Sequence, residues 1–188
     1  MAAHLLLHDD QTITLRGERF RIYLDAKQIQ ARVHEIGSEI TRDYDGKRPI
    51  LIGILNGAFM FLSDLMKSLR MDCEVDFMKL SSYGAEMITS GVVRELKKTD
   101  ADLEGRHVLI VEDIVDSGLT LSWIKSNLES RSPASVEICT LLRKPDAAKV
   151  EVEVKWVGFD IPNEFVIGYG LDYAEKYRNL PFIGVMKG

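Results

Sequence analysis

Three carboxylates and a short turn that carries hydroxyl groups follow an apolar run between Val108 and Leu121, in the stretch VLIVEDIVDSGLTL. Carboxylates such as Glu112 and Asp113 can accept hydrogen bonds from two neighbouring hydroxyl groups, or hold hydrated Mg²⁺, which prefers oxygen ligands. The turn from Asp116 to Thr120 instead favours an anion, because backbone N–H groups at a helix N-terminus bind phosphate and Gly118 lets the backbone approach it. A sugar that carries a phosphate would satisfy both parts of the stretch.

The elements around this stretch predict an open α/β fold. Between Asp25 and Tyr44, apolar residues recur at helical spacing and predict an amphipathic helix: Ile29, Val33, Ile36 and Ile40. A second helix after Asn56 is expected to turn these residues inwards: Phe59, Leu62, Leu65, Met66 and Leu69. The apolar runs PILIGIL, VDFMKL, HVLIVED and VEICTLL are typical of strands covered on both faces. Because strands alternate with helices, we predict a mostly parallel sheet flanked by helices, with ligands at the strand-to-helix turns.

The chain is predicted to be a single domain over residues 1–188, with its core at about 25–149. A long polar connection at about 81–105 holds only one strand-like piece, Val92 to Leu96, and a connection of this length is typical of a functional lid. The tail, 150–188, contains short strands separated by turns. Together with residues 1–24, it is expected to form a small hood beside the sheet.

Composition argues against several classes of protein. The formal net charge is −5 and the basic residues are scattered, so we expect no nucleic-acid partner. The apolar stretches are far shorter than the roughly 20 residues that span a bilayer, so we expect no membrane segment and a cytoplasmic location. Cys73 and Cys139 lack CxxC spacing and are predicted to be buried free thiols, while the dispersed histidines predict no transition-metal cluster.

A capped helix after a strand, with Asp116 or Ser117 as its N-cap, would also place acids in this turn. The full stretch, however, resembles the phosphoribosyl diphosphate motif of the type I phosphoribosyltransferases. Further blocks occur in the order typical of the hypoxanthine or hypoxanthine-guanine branch of that family: GILNGAFMFLSDL, SSYG, LLRKP and VGFDIPNEFVIGYGLDYAEKYRNLPFIGV. The resemblance runs from about Ile50 to Met186 and implies the type I phosphoribosyltransferase fold.

The resemblance implies a role for each matched residue of the central motif. Glu112 and Asp113 would hold the ribose hydroxyls and help place Mg²⁺, and Asp116 would exchange a proton with purine N7. Lys144 would contact the oxygen at purine C6, because an ammonium donor suits an oxo group and poorly suits an amino group. The 5′-phosphate would bind main-chain and hydroxyl groups of Asp116, Ser117, Gly118, Leu119 and Thr120.

The C-terminal block adds contacts to the base and to diphosphate. By resemblance, Phe165 stacks on the purine and Val166 offers backbone groups to its edge. Asp172 matches a residue near the purine that also binds Mg²⁺ through a water molecule, and Arg178 matches a contact to diphosphate. Arginine suits that contact because its fixed fork of donors bridges phosphate oxygens.

The turn after the first strand departs from the family pattern. Asn56 and Gly57 match a turn that carries diphosphate on backbone amides, with a non-proline cis peptide bond between Leu55 and Asn56. The family often has a basic residue where this chain has Asn56, and asparagine supplies no charge. We therefore expect diphosphate binding to depend more on main-chain N–H groups, Arg178 and Mg²⁺.

The resemblance implies transfer of a phosphoribosyl group to hypoxanthine or guanine in purine salvage. Ser82 and Tyr83 match a lid that closes over the reacting sugar and excludes water. A xanthine-preferring transferase is the nearest alternative, since xanthine shares the oxygen at C6. A regulatory module that only binds the sugar diphosphate is another. The family implies a homodimer or a homotetramer.

Overall fold

The structure is a computed structural model that describes residues 6–7, 12–15, 18–80 and 95–186. The strands in these residues are β1 (Leu6–Leu7), β2 (Thr12–Leu15), β3 (Glu18–Leu24), β4 (Ile50–Leu55), β5 (Glu74–Leu80), β6 (Glu95–Lys97), β7 (His107–Val115), β8 (Ser135–Arg143), β9 (Trp156–Asp160), β10 (Val166–Ile167) and β11 (Ile183–Met186). The helices are α1 (Ala26–Asp43), α2 (Phe59–Ser68), α3 (Leu119–Glu129) and a 3₁₀ helix (Pro145–Ala147).

The main sheet confirms the predicted mostly parallel arrangement. Its strand order is β6-β5-β4-β7-β8-β9. Neighbours from β5 to β9 pair in parallel, and only β6 runs antiparallel, at one edge. The carboxyl ends of the five parallel strands therefore lie at the same edge of the sheet, which is where open α/β sheets bind their ligands.

Helices cover both faces of the main sheet. Asp25 caps α1 in a capping box with Gln28, and the predicted apolar positions of this helix are all buried. On one face, α1 and α2 pack in a cluster that includes Leu51 of β4, whereas on the other face α3 packs in a cluster that includes Ile52. Successive residues of β4 are thus buried on opposite sides, as expected of a central strand.

Three of the five residues predicted to point inwards from helix α2 are buried, Leu62, Leu65 and Leu69, and two are not. The residues buried within the helix itself are Phe61, Leu62 and Leu65. Phe59, predicted to point inwards, is 43% exposed, and Met66 is only partly buried. The helix begins at Phe59 itself, and Phe61, which is fully buried, takes the place in the core that was expected of Phe59.

The second sheet is the predicted hood, but its boundary differs from the prediction. Its five strands are antiparallel in the order β1-β2-β3-β11-β10, so both ends of the chain contribute to it. Strand β9, which was predicted to belong to the hood at 150–188, instead pairs in parallel with β8. The physical reason is Trp156, which is 3% exposed and buried in the cluster under α1, so that the main sheet extends to Asp160.

Part of the predicted lid at 81–105 is fixed to the main sheet. Residues 81–94, with Ser82, Tyr83 and the start of the predicted strand at Val92 to Leu96, lie outside the described residues. From Glu95 onwards the chain forms β6 on the edge of β5. Asp76 then accepts the backbone N–H of Asp100 at 2.7 Å, and Leu103 is 1% exposed. These contacts correct the prediction, because residues 95–105 are anchored to the core.

Two further predictions concern the whole chain. Within the described ranges, no helix is long and apolar enough to cross a membrane. Cys73 and Cys139 are free thiols, as predicted. Cys139 is buried in β8, whereas Cys73, which was also predicted to be buried, is only partly buried.

Candidate functional site

The predicted site residues gather at the carboxyl edge of the main sheet. Asn56 and Gly57 follow β4, Asp116 follows β7, and Lys144 follows β8. These three strands are neighbours in the order β4-β7-β8, so the turns that follow them are also neighbours. The structure therefore brings together residues that are far apart in sequence.

Glu112 and Asp113 lie within β7, which continues to Val115, two residues beyond its predicted end. The turn from Asp116 to Thr120, which was predicted to bind an anion, therefore begins directly after the strand. The two carboxyl groups interact, although adjacent residues of a strand normally point in opposite directions. The backbone N–H of Asp113 donates to Glu112 Oε1 at 3.2 Å, and that of Ile114 donates to Asp113 Oδ1 at 2.9 Å.

Burial makes the ionised form of this pair unfavourable. It raises the pKa of Glu112 well above its ordinary value, and the neighbouring charge of Asp113 raises that pKa further. Burial also raises the pKa of Asp113, against the opposing effects of the Glu112 and Ile114 contacts and of the Arg178 charge. Asp113 is 8% exposed and Glu112 is partly buried, and both acids would be stabilised as carboxylates by a bound cation or by hydroxyl donors.

Two glycines allow the turn after β4 to pack against Asp113. A Cβ atom on Gly57 would lie 1.7 Å from Asp113 Oδ2, and one on Gly170 would lie 2.0 Å from the carbonyl oxygen of Gly57. Gly170 also has a φ of +101°, a conformation that favours glycine. The peptide bond between Leu55 and Asn56 is cis, as predicted.

Asp116 and Lys144 form an ion pair, with Lys144 Nζ 3.1 Å from Asp116 Oδ2. The backbone N–H of Lys144 donates to Val115 O at 2.9 Å, which fixes the end of β8 against the end of β7. The lysine side chain is 9% exposed, whereas that of Asp116 is 54% exposed. A buried ammonium thus faces an accessible carboxylate, and both can reach a planar ligand that carries oxygen and ring nitrogen.

The turn from Asp116 to Gly118 borders a small cavity at the start of α3. The cavity has a volume of about 100 Å³ and is lined in part by Ser117, Gly118 and Thr120. Gly118 has a φ of +78°, and Ser117 O accepts the backbone N–H groups of Lys149 and Val150 at 3.0 and 3.1 Å. A larger cavity of about 710 Å³ extends from Asp116 along the segment that follows the 3₁₀ helix.

The predicted site residues of the C-terminal block differ in exposure and in their partners. Phe165 forms a T-shaped pair with Tyr173, with 5.8 Å between ring centroids, and is 53% exposed, so part of its ring is accessible to a planar ligand. Val166 is 6% exposed and belongs to the core. Asp172 Oδ1 lies 2.7 Å from Arg178 Nη2, and its other oxygen accepts a backbone N–H at 2.8 Å.

Arg178 connects this block to the turn after β4. Its Nη1 donates to the carbonyl oxygen of Gly170 at 2.9 Å, and Gly170 in turn packs on Gly57. The guanidinium also lies 3.3 Å from Glu175 Oε2. The charge of Arg178 is therefore shared between two carboxylates, Asp172 and Glu175.

Two residues at the site were not predicted. Lys79, at the end of β5, donates from Nζ to Asn56 Oδ1 at 3.2 Å. Tyr169 is 2% exposed, and its hydroxyl donates to Asp64 Oδ2 of α2 at 2.7 Å. The place of Lys79 at the site could have been found by aligning the ends of neighbouring parallel strands. The two glycines that flank Tyr169 in GYG could have pointed to that residue.

The donor set at the edge fits a magnesium ion. In the described part of the chain, no group of three or more His, Cys, Asp or Glu side chains could hold a metal by itself. Mg²⁺ does not require such a group, because it is commonly held by one or two carboxylates together with water and substrate phosphate oxygens. Glu112 and Asp113 provide two carboxylates in a buried position where their ionised forms need a cation.

The chain is similar to known phosphoribosyltransferases. A family model described as phosphoribosyl transferase domain matches residues 21–174. A hypoxanthine-guanine phosphoribosyltransferase of Mycobacterium tuberculosis is 52% identical over 176 residues, which cover 90% of this chain and 87% of that protein. One from Bacillus subtilis is 47% identical over 167 residues, which cover 89% of this chain and 93% of that protein.

A solved structure agrees with these sequence comparisons. The crystal structure of a hypoxanthine phosphoribosyltransferase from Staphylococcus aureus has a TM-score of 0.85 to this chain at 46% identity. The match covers 89% of this chain and 91% of that one. The residues matched by the family model include Asn56, Glu112, Asp116, Lys144 and Asp172, and they end before Arg178.

Proposed function

The chain belongs to the phosphoribosyltransferase family, and from that premise we propose that it transfers the 5-phosphoribosyl group of 5-phospho-α-D-ribose 1-diphosphate to N9 of hypoxanthine or guanine. The products are inosine or guanosine 5′-monophosphate and diphosphate. The enzyme would thereby salvage free purine bases. The hypoxanthine-guanine transferases to which the chain is similar carry these bases in their names.

The observation that carries the proposal is the order of the turns along the edge of the main sheet. The Asn56 turn follows β4, the buried carboxylates lie in β7, and Lys144 follows β8, and these strands are neighbours in that order. At the reacting carbon of the sugar, diphosphate leaves from one side and the base arrives from the other. Bound diphosphate, ribose and purine would lie along the edge of the sheet in the same order as these three groups of residues.

Each part of the site takes one part of the substrates. Glu112 and Asp113 would accept hydrogen bonds from the ribose 2′ and 3′ hydroxyls. Asn56, Gly57 and Arg178 would bind diphosphate. The 5′-phosphate would enter the cavity at the start of α3, where it meets Asp116, Ser117, Gly118, Leu119 and Thr120. The purine would contact Lys144, Phe165, Val166 and Asp172.

In the reaction, the bond from C1′ to the diphosphate oxygen breaks and the bond from C1′ to purine N9 forms. The diphosphate leaves with the electron pair of the broken bond, and the base loses one proton. Asp116 would take up that proton at N7, since its carboxylate is accessible while Lys144 holds it at 3.1 Å. Lys144 would donate to the oxygen at C6 and so select 6-oxopurines over adenine.

Magnesium belongs to the same proposal. When bound, Mg²⁺ would neutralise negative charge on the leaving diphosphate. Glu112 and Asp113 would hold it, with Asp172 as a third carboxylate if it releases its present partners. The ion would also favour the ionised form of the buried pair.

Several features stay predictions. Ser82 and Tyr83, the proposed lid, lie outside the described residues. A single domain over the whole chain, a homodimer or homotetramer and a cytoplasmic location are all predicted from the sequence or from the family resemblance.

Purified protein incubated with the sugar diphosphate, Mg²⁺ and each of four bases tests the proposed activity. We expect nucleotide from hypoxanthine or guanine and none from adenine. Preferred use of xanthine would support the xanthine-preferring alternative. Binding of the sugar diphosphate without any nucleotide would support the regulatory module and contradict the proposal.

The variant Asp116→Asn tests the proton acceptor. It keeps an oxygen for Lys144 but removes the base, so kcat should fall by about 10²- to 10⁴-fold while binding of the sugar diphosphate persists. Asp146→Asn, at an exposed position in the 3₁₀ helix, is the matched control and should behave like the parent protein. An unchanged kcat in Asp116→Asn would remove Asp116 from the mechanism.

A further inference from the structure

Lys79 reaches the Asn56 turn from the neighbouring strand. Lys79 and Leu55 are paired across β4 and β5, so the lysine stands directly beside the residue that precedes Asn56. Its Nζ donates to Asn56 Oδ1 at 3.2 Å. The turn thus has an ammonium group at its side, although its own side chain is a neutral amide.

The charge of Lys79 is not neutralised by any carboxylate in the described ranges. Lys97, its partner across β5 and β6, lies 3.3 Å from both Asp76 and Asp100. Arg178, the other cation near the turn, is held by Asp172 and Glu175. Lys79 alone among these three has a neutral partner, the amide of Asn56.

A diphosphate at this turn needs positive charge. The buried carboxylates Glu112 and Asp113 lie close by, since Asp113 packs on Gly57, and they would repel an anion. Main-chain N–H groups supply only partial charges, whereas a lysine supplies a full one and commonly binds phosphate. A lysine bonded to a neutral amide can also turn to a ligand without breaking an ion pair.

We infer that Lys79 supplies the positive charge for diphosphate at the Asn56–Gly57 turn and that Asn56 is a positioning residue which holds the lysine there. The inference rests on the proposed function, because it names the group that binds one part of the proposed substrate. It also identifies where this chain carries the charge that Asn56 lacks. The cation lies on β5 and projects across the strand pair to the turn.

The variant Lys79→Gln tests the inference by removing the charge while keeping a polar side chain. The KM for the sugar diphosphate and the inhibition constant of magnesium diphosphate should each rise about 10-fold or more, as expected for the loss of one charged hydrogen bond. Lys79→Arg keeps the charge and should stay close to the parent protein. Lys98→Gln, at a lysine whose side chain is 80% exposed, is the matched control and should change neither constant.

Moving the charge gives a second readout that a purely structural role would not affect. In the double variant with Asn56→Lys and Lys79→Gln, both constants should return most of the way to their parent values. Melting temperatures report whether each variant is folded. Parent-like constants in Lys79→Gln, in a protein that makes nucleotide, would overturn the inference. Failure of the parent protein to make nucleotide would instead overturn the proposed function.

Discussion

At the scale of single residues, Glu112 and Asp113 show that side chains suited to ligand binding can reduce the stability of the ligand-free protein. Both acids are placed where burial raises their pKa values, and the charge of Asp113 adds to the electrostatic cost of ionising Glu112. The ligand-free protein at neutral pH would therefore gain stability if Glu112 were neutralised. Such a conflict is expected where a cation and sugar hydroxyls must be bound.

The variant Glu112→Gln should be more stable than the parent protein at neutral pH and should bind the sugar diphosphate more weakly. A carboxyl whose pKa is raised by folding adds its full stability below its unfolded value, near 4.5, and loses it as pH rises through the folded value. Glutamine has no such dependence. The gain in melting temperature should therefore be a few degrees at neutral pH and should vanish towards pH 4.5.

Melting curves of the ligand-free proteins across this pH range measure the effect. Glu129→Gln, at the exposed end of α3, is the matched control. A Glu112→Gln protein that is less stable than the parent at neutral pH would contradict the account of the buried pair.

Single residues also show what the sequence could and could not predict. Asp116 and Lys144 were predicted because each stands in a recognisable block, and they form an ion pair. Lys79 was missed because it is 23 residues from Asn56 and reaches it only through the pairing of β4 with β5. Contacts between strand ends depend on register, which a single strand does not reveal.

At the scale of elements, the turn after β4 and the GYG segment fit together because each has a glycine where the two meet. Gly170 stands over the carbonyl oxygen of Gly57, and Gly57 stands over Asp113. Sequence patterns predicted the helices and strands that carry these turns, since apolar spacing sets which faces are buried. They did not predict the close approach, nor that Phe61 replaces Phe59 in the core, because both depend on packing between elements.

Gly170→Ala should destabilise the protein and raise the KM for the sugar diphosphate. The new Cβ would lie 2.0 Å from Gly57 O, so the diphosphate turn would have to move. Gly46→Ala is the matched control, since Gly46 also has a positive φ, +70°, but its Cβ would meet nothing within 4 Å. The control should lose about 1 kcal/mol in urea unfolding from backbone conformation alone, without a change in KM. Equal losses in both variants would contradict this packing.

At the scale of the whole molecule, a polar network joins the hood to the helices of the core. Asp64 of α2 accepts hydrogen bonds from Gln30 of α1 at 2.5 Å, from Lys67 at 2.7 Å and from Tyr169 at 2.7 Å. Burial acts to raise the pKa of Asp64, but these hydrogen bonds outweigh it and lower that pKa.

The predicted hood began at residue 150, which is too early in the chain, because β9 is short and resembles the tail strands. The burial of Trp156 instead makes β9 part of the main sheet.

Tyr169→Phe tests whether this network positions the diphosphate site. The loss of a hydrogen bond to a carboxylate should cost about 1.5–3 kcal/mol in urea unfolding. Because Tyr169 precedes Gly170, the KM for the sugar diphosphate should rise more than the KM for hypoxanthine. Tyr23→Phe, in β3, removes a hydroxyl from the same hood sheet and is the matched control. A loss of stability with both KM values unchanged would restrict Tyr169 to a structural role.

The central claim is that the turns at one edge of the sheet hold diphosphate, ribose and purine during a single transfer. The most direct measurement is the amount of diphosphate and of purine nucleotide released together from the sugar diphosphate and hypoxanthine or guanine, with Mg²⁺ present. The account predicts that one diphosphate appears for each nucleotide, and that neither is released in quantity without a base. Diphosphate release without nucleotide, or no release with either base, would contradict it.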